Sequence, residues 1–346
     1  MRKVVINGKF LSQNITGVQR YAREILFELD KISDEDMEII LAVEKSSVNI
    51  PEYRSIKVQP TGRLKGNLWE QISLPLYVKK HNALCVSLCN MAPLLTPHVV
   101  VLHDISFKVN KRFFSRQFTL WYNFVFNTII HRIQKLITVS QFSRSEIARE
   151  YGIPPEEIVV TYNGWQHFDR VGYNESTLER NGLTPQGYCF AMSSLTPNKN
   201  FRWIAENARC NPGMTYVVGG GINEKIFGDV FDFEVPKNMK FLGYVSDEEA
   251  KTLMRDCCLF LFPTFYEGFG IPPLEAICSG ARVAVSDTDC MREIYSDNAV
   301  YIDPNKPDVD IMKLIASSPK PDRSLMEKYS WAKSAEILHD TIKTLI

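Results

Sequence analysis

Short apolar runs alternate with amphipathic stretches over almost the whole chain. The pattern predicts strands at 3–7, 38–43, 83–88, 98–103, 135–139 and 157–161. A second series follows at 188–193, 214–219, 239–243, 257–262, 281–285 and 299–302. Helices are predicted between them, notably at 17–31, 117–133, 141–151, 247–255, 273–279 and 331–345. Runs such as Val99-Val100-Val101-Leu102 and Leu259-Phe260-Leu261-Phe262 are apolar at every position, as a strand covered on both faces requires. Strands that alternate with helices in this way belong to parallel sheets with helices on both sides. The fold class expected is therefore α/β with two Rossmann-like domains, since 346 residues is long for one domain at roughly 150 residues each. The segment 165–185 is polar and lacks a period, so the linker is expected there. The expected domains are 1–168 and 180–330, with a last helix in 331–346. Open α/β sheets bind ligands beyond the carboxyl ends of their strands, and two facing sheets make the cleft between them the expected site. There is no internal repeat and no low-complexity segment.

Composition narrows the function. The chain is 45% hydrophobic and 23% charged with a formal net charge of zero. No overall field draws nucleic acid. Eight cysteines include no C-x-x-C pair, and several lie in apolar runs, where a thiol behaves as a small hydrophobe. That argues against a zinc site and for a reducing compartment. The N-terminus runs directly into Lys3-Val4-Val5-Ile6-Asn7 without a signal peptide, and no apolar run approaches the roughly 18 residues of a membrane span. A soluble cytoplasmic protein is expected.

Four strings can carry chemistry. The run Glu267-Gly268-Phe269-Gly270-Ile271-Pro272-Pro273-Leu274-Glu275 joins a buried strand to a helix start at Leu274. Strand, glycine-bearing loop and helix point backbone N–H groups at an anion. A carboxylate at each end of the loop can accept hydrogen bonds from hydroxyls, such as those of a sugar and a ribose. In Ile15-Thr16-Gly17-Val18-Gln19-Arg20-Tyr21, Thr16 is a candidate N-cap and Gly17 lets the backbone approach a ligand. His103 follows the strand Val99–Leu102, where an imidazole can bond a substrate hydroxyl or shuttle a proton. Lys199, in Ser193-Ser194-Leu195-Thr196-Pro197-Asn198-Lys199-Asn200, lies near a helix N-terminus and suits a diphosphate. Each string also fits a plain structural reading: an ordinary βα turn with surface acids, a structural histidine, an exposed lysine. Asp287-Thr288-Asp289 has metal-ligand spacing but no third ligand in view, so no metal is expected. Residues 108–135 are basic and aromatic (Lys108, Lys111, Arg112, Phe113, Phe114, Arg116, Phe118, Trp121, Tyr122, Phe124, Phe126, Arg132 and Lys135), which fits either an anionic lipid surface or a packed helix with solvated cations.

Taken together the strings resemble a retaining GT-B glycosyltransferase of family 4, over essentially the whole chain. The block Phe262 to Ala276, continued by Ser279-Gly280 and Arg292-Glu293, is the most specific part. Ile137 to Arg144, Gly152-Ile153-Pro154 and Tyr162-Asn163-Gly164 are also similar to the family. Thr16 to Tyr21 and Trp69-Glu70-Gln71 with Leu74-Pro75 resemble a bacterial polysaccharide-assembly subgroup with mannosyl or rhamnosyl donors. Tyr329-Ser330-Trp331 opens a last helix, which in the family crosses back to the first domain.

The resemblance implies roles. Glu275 meets the donor ribose, and Glu267 meets sugar hydroxyls beside the reacting carbon. The loop Gly268, Phe269, Gly270 and Ile271 holds the sugar and diphosphate through its amides, and Lys199 sits on the diphosphate. His103 contacts the transferred sugar, and Gly17 faces the phosphates or acceptor. The reaction implied is transfer from a nucleotide-diphosphate sugar, with retention and with neither metal nor other cofactor. The acceptor implied is an oligosaccharide, lipid-linked in the subgroup, with peripheral contact at the inner membrane surface and no nucleic-acid partner. Two departures stand out. Relatives often carry arginine where this chain has Ser194, leaving the diphosphate to amides, helix N-termini or a residue such as Arg20 or Arg202. Gly17 also stands alone where many relatives have two glycines. A 2-epimerase of the same fold needs acid/base partners that are not in view. A non-catalytic sugar-nucleotide sensor is weighed against by the intact Glu267, Glu275, Lys199 and His103. A NAD-dependent dehydrogenase lacks its G-x-G-x-x-G fingerprint.

Overall fold

The computed structural model describes residues 2–32, 35–47, 50–96, 98–113, 116–130, 132–194, 196–220, 234–322 and 324–346, without the side chains of Arg112 and Phe118. Of the basic-aromatic residues named above, Phe114 and the side chains of Arg112 and Phe118 lie outside the described residues, as does Leu195. The chain forms two compact units, Met1–Asn163 with Ser330–Ile346, and Gly164–Tyr329.

The first unit holds seven strands: β1 Arg2–Asn7, β2 Met37–Val43, β3 Lys57–Pro60, β4 Leu84–Ser87, β5 His98–Val101, β6 Ile133–Thr138 and β7 Ile158–Val160. They pair in parallel in the order β3-β2-β1-β4-β5-β6-β7. Apolar residues of β1, β2 and β4 pack with Trp69, Leu74 and Val78. Those of β5 and β6 pack with Phe126 and Ile129 from the helix Arg116–Ile129 and Ile147 from the helix Gln141–Tyr151. β3 was not predicted. Lys57-Val58-Gln59-Pro60 carries no apolar pattern because it is an edge strand, largely exposed.

Local chemistry sets the helix ends. Thr16 caps the helix Gly17–Leu29, and the Gln19 side chain reaches back to the Thr16 N–H at 3.2 Å, forming a capping box. Gly152 ends the helix Gln141–Tyr151 with a left-handed φ of 65°, and its N–H returns to the Ala148 carbonyl. The string Gly152-Ile153-Pro154 is thereby a helix stop. The last helix, Trp331–Lys343, belongs to the first unit. Its buried Trp331 meets the Tyr21 ring edge-on at 5.9 Å, and the Ser334 hydroxyl donates to the Tyr162 carbonyl.

The second unit holds six parallel strands: β8 Tyr188–Met192, β9 Thr215–Gly219, β10 Met239–Gly243, β11 Leu259–Phe262, β12 Val283–Ser286 and β13 Val300–Ile302. Their order is β10-β9-β8-β11-β12-β13. A core of Cys189, Tyr216, Leu259 and Leu261 packs against Phe201, Ile204 and Ala208 of the helix Phe201–Cys210.

The 165–185 stretch is not a linker. It lies within the second unit, as the short helices Gln166–Asp169 and Thr177–Arg180. Trp165 Nε1 donates to the Met326 carbonyl at 2.8 Å and Gln166 Nε2 to that of Tyr329 at 3.1 Å. The buried Lys251 amine donates to the carbonyls of Phe168 and Val171 at 2.8 and 2.7 Å. These tethers are made by side chains from distant parts of the sequence to main-chain carbonyls, so no local period announces them. Among the described residues no helix is long and apolar enough to cross a membrane.

Candidate active site

In the second sheet the strand order reverses between β8 and β11: β9 and β10 lie to one side, β12 and β13 to the other. Loops that leave two such strands on opposite courses open a crevice at their carboxyl ends, where α/β sheets bind ligands. The loop after β8 carries Lys199, and the loop after β11 carries Glu267 to Gly270. The Phe265 N–H donates to the Asn198 carbonyl at 2.8 Å and joins the loops. Asn200, in a left-handed conformation with φ 55°, donates from Nδ2 to the carbonyls of Pro263 (2.9 Å) and Pro304 (2.8 Å). Through these bonds Lys199 Nζ comes 2.6 Å from Glu267 Oε1, with both side chains mostly buried. The candidate diphosphate cation and the candidate sugar carboxylate thus form one ion pair.

The following helix, Ile271–Cys278, begins earlier than predicted, with Gly270 as its N-cap at φ 83°. Pro272 and Pro273 occupy its first turn, where a missing N–H costs nothing to the helix. They also remove two donors from that turn, so its anion-facing capacity rests on the amides at Gly270 and Ile271. Tyr295 donates its hydroxyl to the Gly270 carbonyl, and the buried Phe269 ring meets Tyr329 edge-on at 5.3 Å. Glu275 lies one turn into this helix and is buried. Its Oε1 is 2.7 Å from Nε2 of the buried His167. A carboxylate oxygen only accepts, so His167 carries the proton on Nε2. His167 was not among the predicted site residues; its string reads as a polar connector, and only the fold brings it to Glu275.

At the carboxyl edge of the first sheet His103 is buried, and its Nε2 is 2.9 Å from the Leu88 carbonyl. Its N–H donates to Asn90 Oδ1 at 2.8 Å, its carbonyl accepts from the Ser143 hydroxyl at 3.1 Å, and Tyr21 packs edge-on at 4.8 Å. Ser140 caps the helix that bears Ser143, accepting the Ser143 N–H at 2.9 Å. Burial pushes the His103 pKa down, and the Leu88 hydrogen bond and Asp104 offset only part of that. The ring is therefore neutral at pH 7, with the proton on Nε2 and the acceptor lone pair on Nδ1. Gly17 is exposed at the first position of its helix.

The string Trp69-Glu70-Gln71 lies in a π-helical turn, Trp69–Ser73, a geometry frequent at functional sites. Glu70 is buried and accepts from Asn7 Nδ2 (2.8 Å) at the end of β1 and from Lys9 Nζ (2.7 Å). Arg202, raised as a substitute for the missing arginine, instead bonds Glu206 at 2.7 Å on an exposed helix face. Asp287 is engaged by Arg292 through both oxygens, at 2.5 and 2.8 Å. Among the described residues no three His, Cys, Asp or Glu side chains are grouped to hold a metal ion.

A family model described as Glycosyltransferase Family 4 matches residues 15–166, and one described as Glycosyl transferases group 1 matches residues 179–327. The chain belongs to the family 4 glycosyltransferases. This glycosyltransferase is 27% identical over 320 residues to the O-antigen chain mannosyltransferase RfbU of Salmonella typhimurium, covering 87% of each chain. Its fold is GT-B. A sucrose-phosphate synthase from Thermosynechococcus elongatus superposes with a TM-score of 0.76 at 13% identity, covering 100% of this chain and 99% of the synthase. Anabaena HepE, solved in complex with UDP and glucose, superposes with a TM-score of 0.72 at 18% identity, covering 99% and 100%. Identities this low speak to the fold alone.

Proposed function

We propose that this glycosyltransferase moves a hexose from a nucleoside diphosphate sugar to a hydroxyl of a growing surface polysaccharide. The observation that carries the proposal is the Lys199–Glu267 ion pair next to the Gly270 cap of the helix that bears Glu275, at the strand-order reversal of the second sheet. Mannose or rhamnose is the favoured sugar, with galactose and glucose as alternatives. The name of the relative RfbU supports mannose and a polysaccharide acceptor, and the UDP of the HepE complex supports a nucleotide-linked donor.

In this scheme Glu275 accepts from a ribose hydroxyl and Glu267 from sugar hydroxyls beside the reacting carbon. Lys199 shares its charge between Glu267 and the diphosphate, and the loop amides at Gly268, Phe269, Gly270 and Ile271 stabilise the leaving group as its charge grows. His103 supplies Nδ1 as an acceptor for a hydroxyl of the transferred sugar, and the backbone at Gly17 meets phosphate or acceptor. The acceptor hydroxyl passes its proton to the departing phosphate on the same face of the sugar, which retains the anomeric configuration, and no metal takes part. The acceptor is lipid-linked, and the enzyme works at the cytoplasmic membrane surface through residues 108–135. Leu120 and Phe124, 70% and 57% exposed there, support that contact.

A panel of nucleotide sugars with short acceptors, read by mass spectrometry with and without EDTA, tests the scheme. One donor should give a product heavier by one hexose or deoxyhexose residue, unaffected by EDTA, and NMR of that product should show the donor's anomeric configuration. Nucleotide release without sugar transfer favours a hydrolase instead, and binding without release favours a sensor.

A further inference from the structure

The His167–Glu275 pair has more structure around it than a buried hydrogen bond needs. His167 is presented by the four-residue turn Gln166–Asp169. That turn is held from three sides: by Trp165 on the Met326 carbonyl, by Gln166 on that of Tyr329, and by the buried Lys251 on those of Phe168 and Val171. The imidazole thereby has a fixed position against Glu275 Oε1. Glutamate has three rotatable bonds, and a carboxylate that must be frozen as a ligand arrives loses affinity to that ordering. A carboxylate already held by a rigid donor does not.

We propose that His167 is a positioning residue: it fixes Glu275 Oε1 so that the carboxylate stands ready for a ribose hydroxyl of the donor. The inference rests on the assignment of Glu275 to the ribose, and it adds a residue outside the Glu267–Glu275 string. His167 touches no reacting atom in this scheme; it acts through Glu275.

Calorimetric titration with GDP, UDP and dTDP first identifies the nucleoside diphosphate that binds. The diphosphate of that base is then titrated into the wild type, Glu275→Ala, His167→Phe, His167→Gln and His167→Asn, as the ribonucleotide and as the 2′,3′-dideoxynucleotide. For the ribose form His167→Phe should weaken binding about tenfold, roughly one weak-to-moderate hydrogen bond's worth of orientation. His167→Gln, whose amide nitrogen reaches the place of Nε2, should recover most of that loss. His167→Asn, one methylene shorter, should not. For the dideoxy form the variants should bind like the wild type, because an oriented carboxylate then has nothing to hold. Equal losses with both forms mean that His167 merely packs, and wild-type affinity in His167→Phe means that Glu275 needs no help; either result overturns the proposal. Should His167→Phe fail to fold, the contrast between Gln and Asn decides it, and identical affinities there count against it. If Glu275→Ala itself leaves ribonucleotide binding unchanged, the ribose assignment fails. If Glu275→Ala weakens binding while His167 is silent, only the inference about His167 fails.

Discussion

The two units hold their candidate groups by different means. In the second, both carboxylates are held by side chains: Glu267 by Lys199 at 2.6 Å and Glu275 by His167 at 2.7 Å. In the first, His103 is held by the Leu88 carbonyl at 2.9 Å and through its own N–H and carbonyl. A main-chain partner cannot rotate away. A side-chain partner can be competed for, as a diphosphate would compete for the Lys199 amine. On the proposed function, a ligand enters an existing charge network in the second unit, whereas the first presents one neutral ring in one orientation. Substituting a partner should therefore alter ligand affinity in the second unit, while in the first the histidine itself must be removed.

The largest effect expected from this difference is on turnover. His103→Ala should lower kcat by roughly 10- to 10²-fold, the range for losing one hydrogen-bond partner of a bound polar group, and leave the affinity for the nucleoside diphosphate as it was. Steady-state kinetics alongside nucleotide titration separates the two quantities. Unimpaired turnover would remove His103 from the reaction, and a parallel loss of nucleotide affinity would erase the contrast between the units.

The contrast also explains what the sequence could and could not reveal. Strands such as Val99 to Val101 and Leu259 to Phe262 are apolar at every position because both faces are covered, and that pattern survives without any knowledge of the fold. Lys57 to Pro60 is a strand only because β2 lies beside it, and its own residues say nothing of the kind. The site divides likewise. Glu267 and Glu275 share one short string, and the loop between them has its own signature. His167 is 108 positions from Glu275, in a segment whose order comes from Trp165, Gln166 and Lys251 bonding to distant carbonyls. The family strings also conceal separate tasks. Tyr21 meets both His103 and Trp331 edge-on, and Ser143 bonds the His103 carbonyl, so Tyr21 and Ser143 brace the histidine.

Acid should act on the first unit through a second histidine. Burial at the start of β5 lowers the His98 pKa from 6.5 to about 4, partly offset by its bond to the Thr96 carbonyl. The sign follows from which state binds the proton. Above pH 6.5 neither state is protonated at His98 and stability is at its full value. Between 6.5 and about 4 the unfolded chain takes up a proton that the native ring refuses, and stability falls by roughly 3 kcal/mol. Hydrogen exchange at pH 7 and pH 4.5, resolved by unit, should show protection in β4, β5 and β6 falling more in the wild type than in His98→Gln. Equal losses in the two proteins would mean that other groups govern the acid limit.

The smallest effect concerns two glycines at helix ends, one in each unit. Gly152 closes the helix Gln141–Tyr151 at φ 65°, and a Cβ there meets nothing within 4 Å. Gly270 opens the helix Ile271–Cys278 at φ 83°, and a Cβ there would lie 2.9 Å from Met291 Cε and 3.2 Å from Phe262 Cε1. Alanine at Gly152 meets only the conformational penalty, about 1 kcal/mol. Alanine at Gly270 meets that penalty and must also displace a methionine tip and press on an aromatic ring, which brings the expected cost to about 2 kcal/mol. Thermal melts of both variants check the order. Nucleotide titration checks something further: Gly270→Ala tilts the cap whose amides face the proposed anion, so it should weaken nucleotide binding, whereas Gly152→Ala should not. If the two alanines cost the same stability and neither changes nucleotide affinity, the Gly270 turn is an ordinary helix start, and the second unit's claim to the anion falls back on Lys199 alone.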